Sequence, residues 1–292
     1  MEDYIKIGKI AVEAKEYSLS LVKEDKSLLD AANKIEEFII KKGAIPAFPV
    51  SLAKNEIAAH YTPLPEEKTT FNSGDIVKID LGVCINGYIA DTAITTEIKT
   101  DNNKELIKSS REALNEAIKI VQIGTELGQI GKVIEETISS FGFKSIKNLS
   151  GHGVGDYEVH KKPTIPNYDN KIKEKLEKGQ FITIEPFATT GSGFVKEGKP
   201  SSIYALQRKG SMRNPISKRI LEFIEQEYKI LPFSKRQLTN KFPLPQVNMA
   251  LKELEKNNII KEYSQLPEKT NGLVSQHEHT LLIDDKVIII TK

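Results

Sequence analysis

The sequence predicts an α+β domain carrying a small helical insert, and three observations lead to that expectation. Residues 75–98 read as a β-hairpin about Asn86-Gly87. Helical periodicity flanks the hairpin on both sides, at 2–22 and 27–42 before it and at 103–121 and 125–141 after it. From about 203 to 270 the texture changes to short apolar helices. A chain of 292 residues is ample for one large core with such an insert.

In the 27–42 segment Leu28, Ala31, Ala32, Ile35, Phe38 and Ile39 recur at intervals of three and four, and Lys42-Gly43 is a helix stop. The next stretch, 44–51, carries Pro46 and Pro49 and must be extended or loop-like. After the hairpin, Leu127, Ile130, Ile134 and Ile138 share one helix face, which Gly142 ends. Strand patterns return at 181–187 and 273–283. Between them lie helices at 215–228 (Ile216, Ile220, Leu221, Ile224) and 246–256 (Val247, Leu251, Leu254), a short 234–240 segment, and an Ile259-Ile260 strand. Three helices and a β-wing describe a winged-helix-like insert over 203–270, leaving 1–202 and 271–292 as the main domain.

Composition narrows the functional classes. With 42 basic against 40 acidic residues, no global charge argues for nucleic acid or an anionic membrane. Residues 203–270 are more basic, with 13 lysines and arginines against 7 acids, the kind of surface with which winged helices bind DNA; a structural insert that walls a cleft, with at most a transient ribosome contact, is the simpler expectation. The lone Cys84, between Val83 and Ile85, excludes an intramolecular disulfide and reads as a buried strand thiol. No apolar run reaches the roughly 18–20 residues of a membrane span, and the first residues lack a signal-peptide hydrophobic region, so a cytoplasmic location is expected. No oligomerisation heptad is evident, and a monomer is expected.

The chemistry centres on Asp80, Asp91, His152, Glu185 and Glu278, four carboxylates and one imidazole that suit a two-metal site of manganese, iron, cobalt or zinc. A two-residue turn at Asn86-Gly87 sets Asp80 opposite Ala93 and Asp91 opposite Gly82, so the aspartates are diagonal neighbours on one face, about 7–8 Å apart along the backbone. Small neighbours on that face (Gly82, Cys84, Ala93, Thr95) leave room for ions, while Val77, Ile79, Leu81 and Val83 face the core. From the hairpin alone, two aspartates on a solvated face remain an equal alternative. Gly151, Gly153 and Gly155 around His152 let the backbone pass close to a site; as a phosphate loop the string lacks a Rossmann acid or a Walker lysine. Glu185 ends an apolar strand, where an unpaired carboxylate is costly. In His277-Glu278-His279 the imidazoles share one strand face, as a zinc pair can, and Glu278 takes the other; the acidic set elsewhere favours Glu278 as the ligand and leaves the two histidines as supporting or packing groups.

The ordered motifs KIDLG, ADTA, GHGVG, TIEPF and QHEHT, with AAHYTP, resemble those of the methionine aminopeptidases in the pita-bread metallopeptidase superfamily, over nearly the whole chain. The long gap from Glu185 to Glu278 is similar to the type 2 subfamily, and the short N-terminal region to its archaeal form. The resemblance implies a pita-bread fold with pseudo-two-fold halves and two divalent metal ions. It implies that Asp80 chelates one ion, that Asp91 and Glu278 bridge both, and that His152 and Glu185 complete the other shell, with Glu185 relaying protons. It further implies that His60 and His160 face the substrate and that Phe48 and Val159 line a methionine side-chain pocket. With YEVHKKP around His160, all five histidines fall within these motifs, and His277 stands where the family often has an apolar residue. The implied reaction is removal of N-terminal methionine from nascent polypeptides with a small second residue. Xaa-Pro peptidases of the same superfamily and non-catalytic scaffold relatives are the competing expectations.

Overall fold

Antiparallel pairing organises this chain around two hairpins and the strand pair between them. The computed structural model describes residues 2–292. The first hairpin pairs Ile76–Ile85 with Tyr88–Glu97 in an unbroken register that sets Asp80 opposite Ala93 and Asp91 opposite Gly82. The second pairs Ser150–Gly155 with Glu158–Pro166. Sequence periodicity did not reveal this second hairpin, because its first strand is glycine-rich and its register shifts twice, beside Gly153. Strands Glu278–Leu282 and Phe181–Ile184 lie between the hairpins and complete the nine-stranded sheet together with Ile45–Pro46, Ser51–Lys54 and Ile288–Ile289.

Two helix pairs cover the sheet face opposite Asp80. Glu2–Leu21 and Leu28–Lys41 bury Ile7, Leu28, Ile35 and Ile39 against Val77, Ile79, Leu81 and Val83. Lys104–Ile120 and Leu127–Ser140 bury Leu106, Ile130, Ile134 and Ile138 against Ile165, Ile182, Ile184 and Leu281. The chain is thus two similar halves, each a hairpin backed by a helix pair. Each apolar stripe that predicted a helix is the stripe now buried.

The strands expected at 181–187 and 273–283 are each broken in two. Phe181–Ile184 stops at Glu185-Pro186, and Phe187–Thr189 continues in a separate three-stranded sheet with Val274–Gln276 and Lys144–Ser145. Val274–Gln276 likewise leaves that small sheet at His277, and Glu278–Leu282 enters the large one. Pro186 has no N–H to continue a ladder. Its carbonyl instead accepts from His277 N–H across the gap, so both strands change sheets at the same level.

A third core forms from residues beyond 200. Strand Pro200–Leu206 runs between Phe233–Ser234 and Ile260–Ser264, and helices Pro215–Glu227, Lys235–Thr239 and Leu244–Lys256 pack Ile220, Ile224, Val247 and Leu254 around Phe233. No helix among the described residues is long and apolar enough to cross a membrane.

A buried ion pair joins this core to the first half. Arg236 Nη2 lies 2.6 Å from Glu36 Oε1, its other nitrogen donates to Glu36 Oε2 and Asn33 Oδ1, and Val50 N–H donates to the same carboxylate. Arg236 and Glu36 are only 2% and 5% exposed. Removing one partner strands a buried charge, at about 3–5 kcal/mol. Glu36→Ala is therefore expected to lower the unfolding free energy by that order in urea, and adding Arg236→Met should recover much of it. An unchanged urea midpoint in Glu36→Ala would show that the pair does not hold the two cores together.

Candidate metal centre

The site forms where the two strands change sheets. Asp80 and Asp91 project from the first hairpin, Glu185 stands at the break after Phe181–Ile184, and Glu278 is the first residue of its strand. Ala93 is opposite both Asp80 and Glu278, so the two carboxylates flank it in one row across three strands. The Thr280 hydroxyl is 2.8 Å from both the N–H and the carbonyl of Asp91, accepting from one and donating to the other. Thr92 Oγ1 donates to the Glu278 carbonyl at 2.9 Å. His152 enters from the second hairpin, its N–H donating to Thr183 Oγ1.

All five side chains converge. Ligand atoms of Asp91, His152 and Glu278 lie within 4.8 Å of one another. His152 Nε2 is 3.6 Å from Glu185 Oε1 and 3.9 Å from Asp91 Oδ2. Gln276 Nε2 bridges the remaining member, 3.4 Å from Asp80 Oδ2 and 3.3 Å from Glu185 Oε2. His152 Nδ1 is 3.1 Å from the Gly153 carbonyl, which can only accept, so Nδ1 carries the proton and the Nε2 lone pair points at the carboxylates. Burial holds this imidazole neutral, with a pKa lowered to about 4.

The residues fit divalent cations. Asp91 and Glu278 are 3% and 2% exposed, while Asp80 and Glu185 keep one side on the cavity. Burial raises the pKa of Asp80 to about 7. Burial and then the neighbouring negative charges hold Asp91, Glu185 and Glu278 well above the usual carboxylate range. No lysine or arginine among the described residues forms an ion pair with any of the four. Asp80 Oδ1, Asp91 Oδ1 and Glu278 Oε1 are buried without a hydrogen-bond partner. Buried orphan oxygens beside a bare imidazole lone pair are ligands in search of positive charge.

A cavity of about 220 Å³ opens above this floor. The four substrate-facing residues expected from the sequence all line it: Phe48, His60, Val159 and His160. His60 sits at φ +61°, in the left-handed region, with Nδ1 3.1 Å from the Ser264 carbonyl and its ring edge-on to Tyr263 at 5.4 Å. A non-glycine residue held there costs free energy that the surrounding contacts must supply. The His160 ring stands edge-on to His152, 4.5 Å away. Residues beyond 200 complete the wall through Ile203, Pro232, Tyr263 and Leu266.

Two local expectations change. Gly82 does not leave room for ions: a Cβ there would meet the Phe48 ring at 2.5 Å, so its space admits the pocket wall. Gly151 and Gly153 likewise serve neighbouring backbone, since Cβ atoms would meet the carbonyls of Thr183 and Lys162 at 2.3 Å. His277 and His279 take the supporting role favoured over an H-x-H pair. The break at His277 lets its Nδ1 bond Ser110 Oγ at 2.8 Å, while His279 Nδ1 bonds Thr291 Oγ1 at 2.9 Å. Gln276 and Tyr263 were not singled out as site residues. Gln276 shares the strand face of Glu278 by alternation, a usable signal, whereas nothing local marks Tyr263.

The raised carboxyl pKa values set a pH dependence. In the unfolded chain these groups release protons near pH 4, but in the metal-free fold they hold them to higher pH, to about 7 for Asp80. The cost of ionising the site is absent below about pH 4 and grows as pH rises through about 7, so this site destabilises the metal-free protein across that window. Mn(II) at about 100 times its Kd should add about 2.7 kcal/mol. Scanning calorimetry from acid to neutral pH, with and without Mn(II), is expected to show the largest metal-induced rise at the upper end, and Asp91→Asn should lose most of it. A metal-induced rise of equal size at every pH would contradict the proposed origin.

Comparison with known proteins agrees with this geometry. The sequence pattern of metallopeptidase family M24 matches residues 2–222. A methionine aminopeptidase of Pyrococcus abyssi is 44% identical over 292 residues, covering all of this chain and 99% of its own. Among solved structures, the methionine aminopeptidase from Rickettsia prowazekii superposes with a TM-score of 0.72 at 22% identity, over 99% of this chain and 96% of its own. The prolidase from Pyrococcus furiosus gives 0.62 at 22%, over 100% and 63%. The structural likeness speaks for the fold, which is the pita-bread arrangement expected from the motifs. The hairpin-borne aspartates, the sheet-switching glutamates and the family match converge on one conclusion: the chain belongs to metallopeptidase family M24.

Proposed function

We propose that this chain removes the N-terminal methionine from peptides and nascent polypeptides whose second residue is small, using two divalent cations held by Asp80, Asp91, His152, Glu185 and Glu278. One observation carries the reading: the five donors share the floor of a single cavity whose walls include Phe48, Val159, His60 and His160. Full-length similarity to a protein named methionine aminopeptidase supports it. Bound divalent cations supply Lewis acidity, polarising a carbonyl and lowering the pKa of water to about 7.

The chain's own residues do the rest. Glu185, on the cavity floor beside His152, accepts a proton from water and passes it to the leaving amine. His60, kept neutral by burial, donates its Nδ1–H to the Ser264 carbonyl, which leaves an accepting Nε2 for a substrate N–H, and His160 stands on the same cavity wall as the hydrogen-bonding partner of the scissile carbonyl. Phe48 and Val159 hold the methionine side chain, and the carboxylate floor receives the free α-amine, which limits cleavage to the first residue. The wall from Ile203, Pro232, Tyr263 and Leu266 narrows the space for the second residue. In this reading residues 203–270 are an insert in a catalytic domain of 1–202 and 271–292, and the protein acts as a monomer.

The test is release of free methionine from Met-Ala-Ser and Met-Gly peptides by metal-free protein, then with Mn(II), Co(II), Fe(II) or Zn(II) added, with Ala-Pro peptides in parallel. Metal-dependent methionine release is expected, and Glu185→Gln should lower kcat by about 10²–10⁴-fold. Cleavage of Ala-Pro in place of Met-Ala would move the substrate to the Xaa-Pro class, and no cleavage by metal-loaded protein would remove the peptidase reading.

A further inference from the structure

Lys78 is the one fully buried lysine among the described residues, and nothing in the proposed reaction uses it. It lies two residues before Asp80 on the same strand face, directly opposite Thr95. Its Nζ reaches no carboxylate. It donates to two main-chain carbonyls, of Asn55 at 2.8 Å and Val274 at 3.1 Å. Burying an amine without an acidic partner is costly, and its hydrogen bonds must offset that cost.

The two carbonyls belong to segments that lead to other parts of the site. Val274 begins the strand that ends at Gln276, and Glu278 follows after the break. Gln276 is further fixed by Thr95, whose Oγ1 accepts from its N–H at 2.8 Å and donates to its carbonyl at 2.6 Å. Asn55 precedes the strand Ile57–Ala59, which delivers His60. Asn55 is itself held at φ +51°, with its side chain bonded to Asp75 and to the Ile76 N–H, and its carbonyl also accepts from Val274 N–H at 3.1 Å. One amine therefore ties together three segments, carrying Asp80, Gln276 with Glu278, and His60.

We propose that Lys78 is a positioning residue for the metal centre, a covalently tethered amine in a cage of main-chain carbonyls that fixes Asp80 relative to Gln276, Glu278 and His60. The inference rests on the metal-centre reading above. A cage of neutral carbonyls around a lost amine suits a small monovalent ammonium ion. The space left by Lys78→Ala corresponds to n-propylammonium, which replaces the missing Cγ to Nζ fragment. Lys78→Met keeps the packing volume and removes the hydrogen bonds.

The experiment titrates Mn(II) into metal-free wild type, Lys78→Met and Lys78→Ala by calorimetry, and follows the thermal midpoint of each metal-free protein. For Lys78→Ala both are repeated with n-propylammonium chloride, and with tetramethylammonium chloride at the same concentration as a salt too bulky for the cage. Both variants are expected to bind Mn(II) about 10–100-fold more weakly than wild type. In Lys78→Ala, n-propylammonium should restore a large part of the affinity and raise the midpoint, and tetramethylammonium should do neither. Wild-type affinity in Lys78→Met, a lowered midpoint with unchanged Mn(II) affinity, or an equal response to the two salts each overturns the proposal. If Lys78→Ala does not fold, the affinity of Lys78→Met decides. Failure of the wild type to bind Mn(II) removes the metal-centre reading and this inference with it, which separates that failure from one confined to Lys78.

Discussion

The mutual repulsion of four desolvated carboxylates is the constraint on which the rest of this structure depends. Asp80, Asp91, Glu185 and Glu278 are held where no lysine or arginine among the described residues pairs with them, and three of their oxygens have no hydrogen-bond partner. Such a group of acids would be expelled to the surface of a loosely built fold. Here Asp80, Asp91 and Glu278 are fixed through their backbones by ladders and hydroxyls, and the Glu185 carbonyl accepts from Asn167 Nδ2 at 3.1 Å, so the protein opposes the repulsion with main-chain geometry. The Thr280 hydroxyl on the Asp91 backbone and the Thr92 hydroxyl on the Glu278 carbonyl are the clearest instances.

The sheet break is the second device. A continuous strand at 181–187 would keep all its alternate side chains on one sheet, and a continuous 273–283 strand would pair His277 with His279. Breaking both strands at one level turns Glu185 and Glu278 to the same floor and sends His277 toward Ser110. The buried His277 imidazole thus has a hydroxyl to meet it.

Much of this could be read from the sequence, and the physical reasons are local. The Asn86-Gly87 turn admits one short register, and that register puts Asp80 and Asp91 on one face without knowledge of any distant contact. Helix stripes repeat at 3.6 residues and were legible for the same reason. What escaped depends on contacts between distant segments. The Ser150–Gly155 strand is shaped by backbones pressing on Gly151 and Gly153, the Phe181–Ile184 break by a hydrogen bond from His277 to Pro186, and the role of Gly82 by a ring from residue 48. The clamp between Arg236 and Glu36 joins residues 200 positions apart, and no pattern within either helix announces it.

That clamp has a consequence for how the molecule fails. The cavity floor belongs to the two sheet halves, but part of its wall belongs to the region beyond residue 200, which meets the first half through the Arg236–Glu36 pair, through Leu231 packed with Ala47 and Cys84, and through His60 against Ser264 and Tyr263. A hydrophobic core of its own makes this region a natural unit of local opening, at a free energy below that of global unfolding. The first partially unfolded form on this route keeps its carboxylates and His152 in place while one wall of the cavity is gone. Such a species would still capture cations yet accept larger chain ends, so the fidelity of this protein is tied to the local stability of a region that contributes none of the five metal donors.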